Sequence, residues 1–381
     1  MSVQQKGPTT SATGSSSLHW SSPARTPLAR PGLGAPHHLI RLGANESPYG
    51  PIPEVAERIT AACLRVNRYP DVSATALRTA LAQHLGVRTG QLLIGNGSSE
   101  LIHMLTTAFG GVGAEIVVPV PSFPMYAGSV SYTAAKLVSV PISADGTPDL
   151  VALLAAITDR TSLLFLCNPN NPTGGHILLA QVKAFLQEVP AHVVIALDEA
   201  YWELTDAFLD GSETAVSLSE QFPNLVVLRT FSKFYGLAGL RVGYAVAHNE
   251  EIAERLASVR LPAMPNTFGL EGALACVEHH ASYLQRARDA ARERNRVLAQ
   301  VRALGYRVLN TQANFYCLPF APGLSPFVQA GIHVRGGDTI QMPGYIRITL
   351  GTAEENDAAL NVLKQHASVL TGNSGSGDEA K

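Results

Sequence analysis

Four short strings carry the residue types that could do chemistry, and each closes an apolar run. In Arg229-Thr230-Phe231-Ser232-Lys233 a lysine follows such a run and two hydroxyl residues, and precedes Gly236, Gly239 and Arg241. A lone lysine is usually a solvated surface group. One set between an apolar strand and a glycine-rich turn is where a reactive amine could be buried. In Asp198-Glu199-Ala200-Tyr201 a carboxylate ends the run 193–197, placed either to meet a ligand cation or to cap a helix. Cys167-Asn168-Pro169-Asn170-Asn171-Pro172-Thr173-Gly174 follows 163–166; its two X-Pro steps end a strand and fix a turn that could hold an asparagine amide against a ligand. Gly95-Asn96-Gly97-Ser98-Ser99-Glu100 leads into an apolar helical pattern. Its glycines, hydroxyls and free helix N–H groups suit a phosphate, although an ordinary N-cap has the same composition.

Elements must position these strings. The runs at 116–118, 163–167, 193–198, 225–229 and 242–246 are short and mostly apolar, as expected of strands covered on both faces in a parallel α/β sheet. Open sheets of that kind place ligands at the carboxyl ends of their strands. Helical patterns lie between, for example at 180–188 and 250–259. A long helix is expected over 283–304, with Leu284, Ala287, Ala291, Leu298 and Val301 on one side. Stretches 307–309, 314–318, 333–335 and 345–350 then read as strands of a smaller sheet, which suggests a second domain.

A chain of 381 residues has room for more than one core. With 46% hydrophobic and 15% charged residues it is globular rather than disordered. A formal net charge of −2 offers no general attraction to nucleic acid or anionic lipid. No apolar run approaches the about 18 residues of a membrane span, so no membrane partner is expected. Cys63, Cys167, Cys276 and Cys317 show no CxxC spacing, so no metal site is expected, and their low count fits a reducing compartment; the expected location is cytoplasmic. Residues 1–38 hold no Asp or Glu and are rich in Ser, Pro, Gly and Thr. That composition partly resembles a transit peptide, but its Pro and Gly would break the required amphipathic helix. A disordered extension is expected there, and a disordered tail over 371–381.

Taken in order, the four strings resemble the fold type I pyridoxal-phosphate-dependent aminotransferases of class I/II, over about residues 41–368. Leu42-Gly43-Ala44-Asn45-Glu46-Ser47-Pro48-Tyr49-Gly50-Pro51, Arg68-Tyr69-Pro70-Asp71 and Arg347-Ile348-Thr349-Leu350-Gly351-Thr352 are similar to strings of the histidinol-phosphate aminotransferases within that group. The resemblance implies an α/β fold: a large cofactor-binding domain with a mostly parallel sheet (71–262), a smaller α+β domain (263–370), and a segment 39–70 joining the latter. It implies pyridoxal 5'-phosphate as cofactor, with Lys233 as the Schiff-base lysine and the base that moves the α-proton. Asp198 would pair with the pyridine nitrogen, Tyr201 and Asn171 would hydrogen-bond the ring oxygen, and Phe123 would stack on the ring. Gly97, Ser98, Ser99, Thr230, Ser232 and Arg241 would hold the phosphate. Tyr69 would reach the phosphate of a neighbouring subunit, making the active unit a homodimer with shared sites. Arg347 would fork onto the substrate carboxylate, and Arg335 would take an anionic side chain.

The chain also departs from the histidinol-phosphate group. Thr26–Gly32 lacks the aromatic that group carries before its Asn-Glu string, Pro262-Ala263 replaces its Pro-Tyr, and Gly336-Gly337-Asp338 is unusual. The expected reaction is amino transfer from an amino acid, or an amine such as histidinol phosphate, to a 2-oxo acid such as 2-oxoglutarate. The altered pocket also fits a specialised paralogue acting on another, possibly aromatic, amino acid. Around the lysine the chain also resembles decarboxylases related to threonine-phosphate decarboxylase, which Lys233-Phe234-Tyr235-Gly236 does not separate. A cofactor-sensing DNA-binding regulator is disfavoured, because the N-terminal tail is too short and irregular for a helix-turn-helix.

Overall fold

The computed structural model describes residues 39–367; the expected extension over 1–38, the stretch 26–32 and the tail 371–381 lie outside the described residues. Among the described residues twelve strands form three sheets: β1 Ile40–Arg41, β2 Leu92–Gly95, β3 Glu115–Val120, β4 Lys136–Pro141, β5 Thr161–Cys167, β6 Val194–Asp198, β7 Leu225–Thr230, β8 Gly243–Ala247, β9 Phe315–Pro319, β10 Ile332–His333, β11 Arg335–Gly336 and β12 Tyr345–Thr349. The main sheet has the order β2-β8-β7-β6-β5-β3-β4, parallel except where β8 pairs with β7 and β2. The five expected strands of this sheet are all present. Strands β2 and β4 were not expected: β2 is only four residues long, and β4 is an edge strand whose mostly solvent-facing residues give no apolar run.

Alternation along the strands divides the core into two layers. In β5, Leu164 and Leu166 face one layer, while Leu163, Phe165 and Cys167 face the other; Ile195 and Leu197 oppose Val194 and Ala196 in the same way on β6. Each fully buried Leu or Ile contributes about 1.5–3 kcal/mol relative to exposure. Burial on both faces therefore makes β5 and β6 rigid supports for whatever follows their carboxyl ends.

A third core surrounds the small antiparallel sheet β11-β12-β9, where Tyr316, Leu318, Ile346 and Ile348 pack with Val297, Leu298 and Val301. Those last three belong to the long helix His280–Ala303, whose earlier Tyr283 and Ala287 pack into the first core. The expected strand at 307–309 is not formed. That stretch makes only an isolated backbone bond, Leu309 N to Cys317 O at 3.1 Å. Strand β1 pairs parallel with β10, so the segment entering the molecule at residue 40 lies against the small sheet.

Candidate active site

The carboxyl ends of β5, β6 and β7 converge on Lys233, which lies in the turn after β7. Its Nζ donates to the carbonyls of Asn45 (2.9 Å) and Ala44 (3.2 Å) and lies 5.7 Å from the Tyr201 ring centre. Burial, reinforced by the positive charges of Arg347 and Arg241, pushes this amine down to about 7. A lysine so placed is substantially neutral near pH 7, the condition for an amine to act as nucleophile or base.

Asp198 is the last residue of β6 and is 2% exposed. Its carboxylate accepts from the Tyr126 hydroxyl (2.8 Å) and the Ala200 N–H (3.0 Å), and no Lys, Arg or His among the described residues lies within ion-pair distance. Burial pushes it up to about 6, partly opposed by those two hydrogen bonds. A buried carboxylate with neutral donors only is an incomplete pair. Tyr126 was not foreseen from the sequence. It stacks on Phe165 at 4.6 Å and meets Phe123 edge-on at 5.6 Å. Its only sequence signal is its place one helical turn after Phe123.

Tyr201, 3% exposed, joins this wall. Its oxygen accepts from Asn45 Nδ2 (3.0 Å) and Asn171 Nδ2 (3.2 Å). Both amide orientations are fixed from their other ends, since Asn171 Oδ1 accepts from Arg347 (2.6 Å) and Asn45 Oδ1 from Thr349 (3.2 Å). Burial holds the phenol protonated, so its own hydrogen remains available to a ligand oxygen. Asn170 stitches the loop that presents Asn171, donating to Pro121 O and Thr173 Oγ1 and accepting from Ser122.

The glycine-serine string forms the first turn of the helix Gly97–Phe109, with no side-chain cap on its N-terminus. Gly97 has φ +70°, and a Cβ there would stand 2.5 Å from the Arg241 guanidinium. Gly243 is needed for close approach, since its Cβ would stand 2.6 Å from Ser98 N. Arg241 donates to Ala238 O and, at 3.4 Å, to Ser232 Oγ; Thr230 Oγ1 donates to Ser232 Oγ at 2.9 Å. Open helix N–H groups, clustered hydroxyls and one guanidinium make a cup for a phosphate.

Arg347 and Arg335 face each other directly across the β11–β12 pair. Arg347 is 5% exposed, lies 5.3 Å from the Phe315 ring, and spends its forks on Asn171 Oδ1 and Gly43 O (2.9 Å), leaving Nε without a protein partner. Arg335 Nε is likewise unpartnered, and neither arginine meets a carboxylate among the described residues. Burial lowers both, Arg347 to about 10, with Arg335 adding to the effect at Arg347. A buried cation beside a half-buried one, neither with a counter-ion, is costly unless an anion completes them. Tyr69 is elsewhere: it is 89% exposed, on a cleft of about 230 Å³ with Arg65, Arg68, Leu77 and Leu270.

Residues 37–363 match the family model for aminotransferase class I and II. The chain belongs to that family. An aromatic amino acid aminotransferase from Rhodococcus opacus (strain B4) is 41% identical over 327 residues, covering 84% of this chain and 88% of the relative. A histidinol-phosphate aminotransferase from Shouchella clausii (strain KSM-K16) is 39% identical over 324 residues, 84% of this chain and 87% of its own length. Among solved structures, the histidinol-phosphate aminotransferase from Sinorhizobium meliloti in complex with pyridoxal-5'-phosphate superposes with TM-score 0.79 at 29% identity, over 87% of this chain and 91% of that one. The fold is that of the fold type I enzymes, and the protein is a pyridoxal-phosphate-dependent aminotransferase. The site fits the cofactor on its own terms: the aminotransferase has a phosphate cup, a depressed amine, and a buried carboxylate that lacks a cation.

Proposed function

We propose that this aminotransferase moves the amino group of an aromatic amino acid to a 2-oxo dicarboxylic acid such as 2-oxoglutarate. The observation that carries the reading is the pair Arg347–Arg335, one guanidinium buried and one half-buried, neither with a carboxylate, beside a lysine whose amine is held near neutrality. Arg347 would take the α-carboxylate of either substrate, and Arg335 the second carboxylate of the acceptor. The 41% identity to an aromatic amino acid aminotransferase supports the donor. Histidinol phosphate is the second reading, favoured by the 39% relative and by the same Arg335, which would meet its phosphate.

The cofactor would be held by Lys233, by Asp198 at its pyridine nitrogen, by Tyr201 and Asn171 at its ring oxygen, and by Phe123 on its face. Gly97, Ser98, Ser99, Thr230, Ser232 and Arg241 would hold its phosphate. When bound, pyridoxal phosphate supplies an electron sink that lets the α-carbon release a proton. Lys233 Nζ takes and returns that proton, and the Ala44 and Asn45 carbonyls hold the amine between transfers. Tyr201 donates its free hydrogen to the ring oxygen. The Arg347 fork turns the substrate so that its α-hydrogen faces Lys233.

The exposed Tyr69 and its apolar neighbours Leu64, Val66 and Val72 support a homodimer in which Tyr69 completes the partner's phosphate cup. The proposed domain division keeps 71–262 as the cofactor-binding body, with the helix Thr267–Glu278 packed onto it and the later residues forming the smaller domain. No helix among the described residues is long and apolar enough to cross a membrane, and we place the enzyme in the cytoplasm. A donor screen tests the reading by following loss of the cofactor's visible absorbance together with mass-spectrometric detection of the 2-oxo product. Phenylalanine and tyrosine should be the fastest donors. Histidinol phosphate outpacing them would move the enzyme to the second reading. Carbon dioxide release without a 2-oxo product would sink transamination.

A further inference from the structure

Behind the cofactor wall lies a buried cluster of charges that none of the roles above uses. Arg229 is 3% exposed, one residue before Thr230 of the phosphate cup, and Glu199 is 2% exposed, one residue after Asp198. Arg229 Nε and Nη2 both donate to Glu199 Oε2, at 3.0 and 2.7 Å, and Nη1 donates to Glu203 Oε1 at 3.1 Å. Glu199 Oε1 accepts from the Ala215 N–H at 3.1 Å, and the Trp202 ring lies 5.8 Å from the guanidinium. Asp198 pairs with Leu228 across β6 and β7. Continued alternation therefore sends Asp198 and Thr230 to the site face, and Glu199 and Arg229 to the opposite one.

Such a cluster is poor evidence for stability, because desolvating three charges costs as much as their attraction returns. Its position suggests a different use. Glu199 is the nearest carboxylate to Asp198 along the chain, and its charge adds to the burial that already lifts Asp198 to about 6. Asp198 is faced also by Tyr126, Cys167 and Lys233, of which only Lys233 is a cation. Arg229 is faced by Glu199, Glu203 and Tyr244. Burial holds Glu203 above the usual carboxylate range. Glu199 accepts from two arms of the guanidinium, so the Arg229 charge offsets part of that of Glu199.

We propose that Arg229 is a positioning residue for the cofactor: by neutralising Glu199 through the sheet, it keeps Asp198 ionised toward the pyridine nitrogen. The inference rests on the role proposed above for Asp198. It predicts a specific pattern of rescue. Removing the cation while Glu199 remains exposes Asp198 to an uncancelled negative charge, whereas removing both leaves the local field close to the original.

The experiment compares the holoenzyme with D198N, R229Q, E199Q and the double variant R229Q/E199Q. It measures the cofactor dissociation constant, the pH titration of the cofactor's visible absorbance, and the melting midpoint of each apoprotein. D198N and R229Q should each weaken cofactor binding by about tenfold or more, the effect of raising one proton equilibrium by a pH unit. The double variant should recover to within about threefold of the parent, even if it melts no higher than R229Q. A double variant binding cofactor as weakly as R229Q, with D198N also weak, would overturn the role of Arg229 alone. D198N at parental affinity would instead remove the reading of Asp198 on which it rests. If R229Q does not fold, E199Q carries the test: affinity within about threefold of the parent supports the electrostatic role, and a loss of about tenfold shows that Glu199 acts as a brace.

Discussion

The two halves of the proposed active site are built in opposite ways. The ring and phosphate half comes from strand ends of the main sheet, and most of its groups already have neutral partners: Tyr126 on Asp198, two amides on Tyr201, and hydroxyls shared between Thr230 and Ser232. The carboxylate half comes from the small sheet and holds Arg347 and Arg335 side by side with no counter-ion. In the ring and phosphate half the charges unpaired among the described residues, Asp198 and Arg241, are of opposite sign, as suits one permanent ligand with a cationic ring and an anionic phosphate. A half left with positive charge alone is completed anew by each anionic substrate, as an enzyme that accepts two substrates in turn requires.

Breaking the element common to both halves gives the largest effect. Lys233→Ala should lower turnover by about 10³-fold or more, with no cofactor retained on the protein by mass spectrometry after borohydride reduction. Asp198→Asn strikes the first half only and should cost on the order of 10²–10³ in kcat, visible in the half-reaction with every donor alike. In the second half, Arg347→Lys should raise KM for donors and acceptors together by about 10–100-fold, as a point charge replaces a fork. Arg335→Ala should be selective, costing about tenfold in kcat/KM for a dicarboxylic acceptor and little for phenylalanine. Equal losses on both would erase the division between the halves.

The last effect concerns stability rather than turnover. The folded protein holds Lys233 near 7 against an ordinary value of 10.5, so between those values the unfolded chain binds more protons, and apoprotein stability rises with pH. Lys233→Met should therefore melt above the parent at pH 7, with an advantage that shrinks toward pH 10 at up to about 1.4 kcal/mol per pH unit. An advantage independent of pH would show that the amine is not held in its neutral form.

This contrast also decides what was legible in the sequence. The expected phosphate cup is written in short strings, with Gly97, Ser98 and Ser99 at one helix start and Arg241 eight residues after Lys233; residue type alone also allows an ordinary N-cap there, and the family resemblance of the strings is what points to a phosphate. The partners that finish the site are remote. Tyr126 is 72 residues from Asp198, and Asn45 is 156 from Tyr201. Their pairing depends on how the layers pack, which no local pattern records. The register that sets Arg335 opposite Arg347 is of the same kind, because it depends on where a two-residue strand meets β12. Strand β4 carries no apolar run because a sheet edge need not be apolar, and 307–309 resembles a strand in sequence but makes only one bond to β9.

Asn45 gives the fold a temporal consequence. Its backbone N–H donates to Thr349 Oγ1, 304 residues away, and its carbonyl and that of Ala44 hold the Lys233 amine. A ribosome makes the Asn45 string 304 residues before it reaches Thr349. The cofactor-binding strands can therefore assemble earlier in synthesis, but the perch for the lysine cannot close until Thr349 has been made. Until then, the amine has no fixed place to rest.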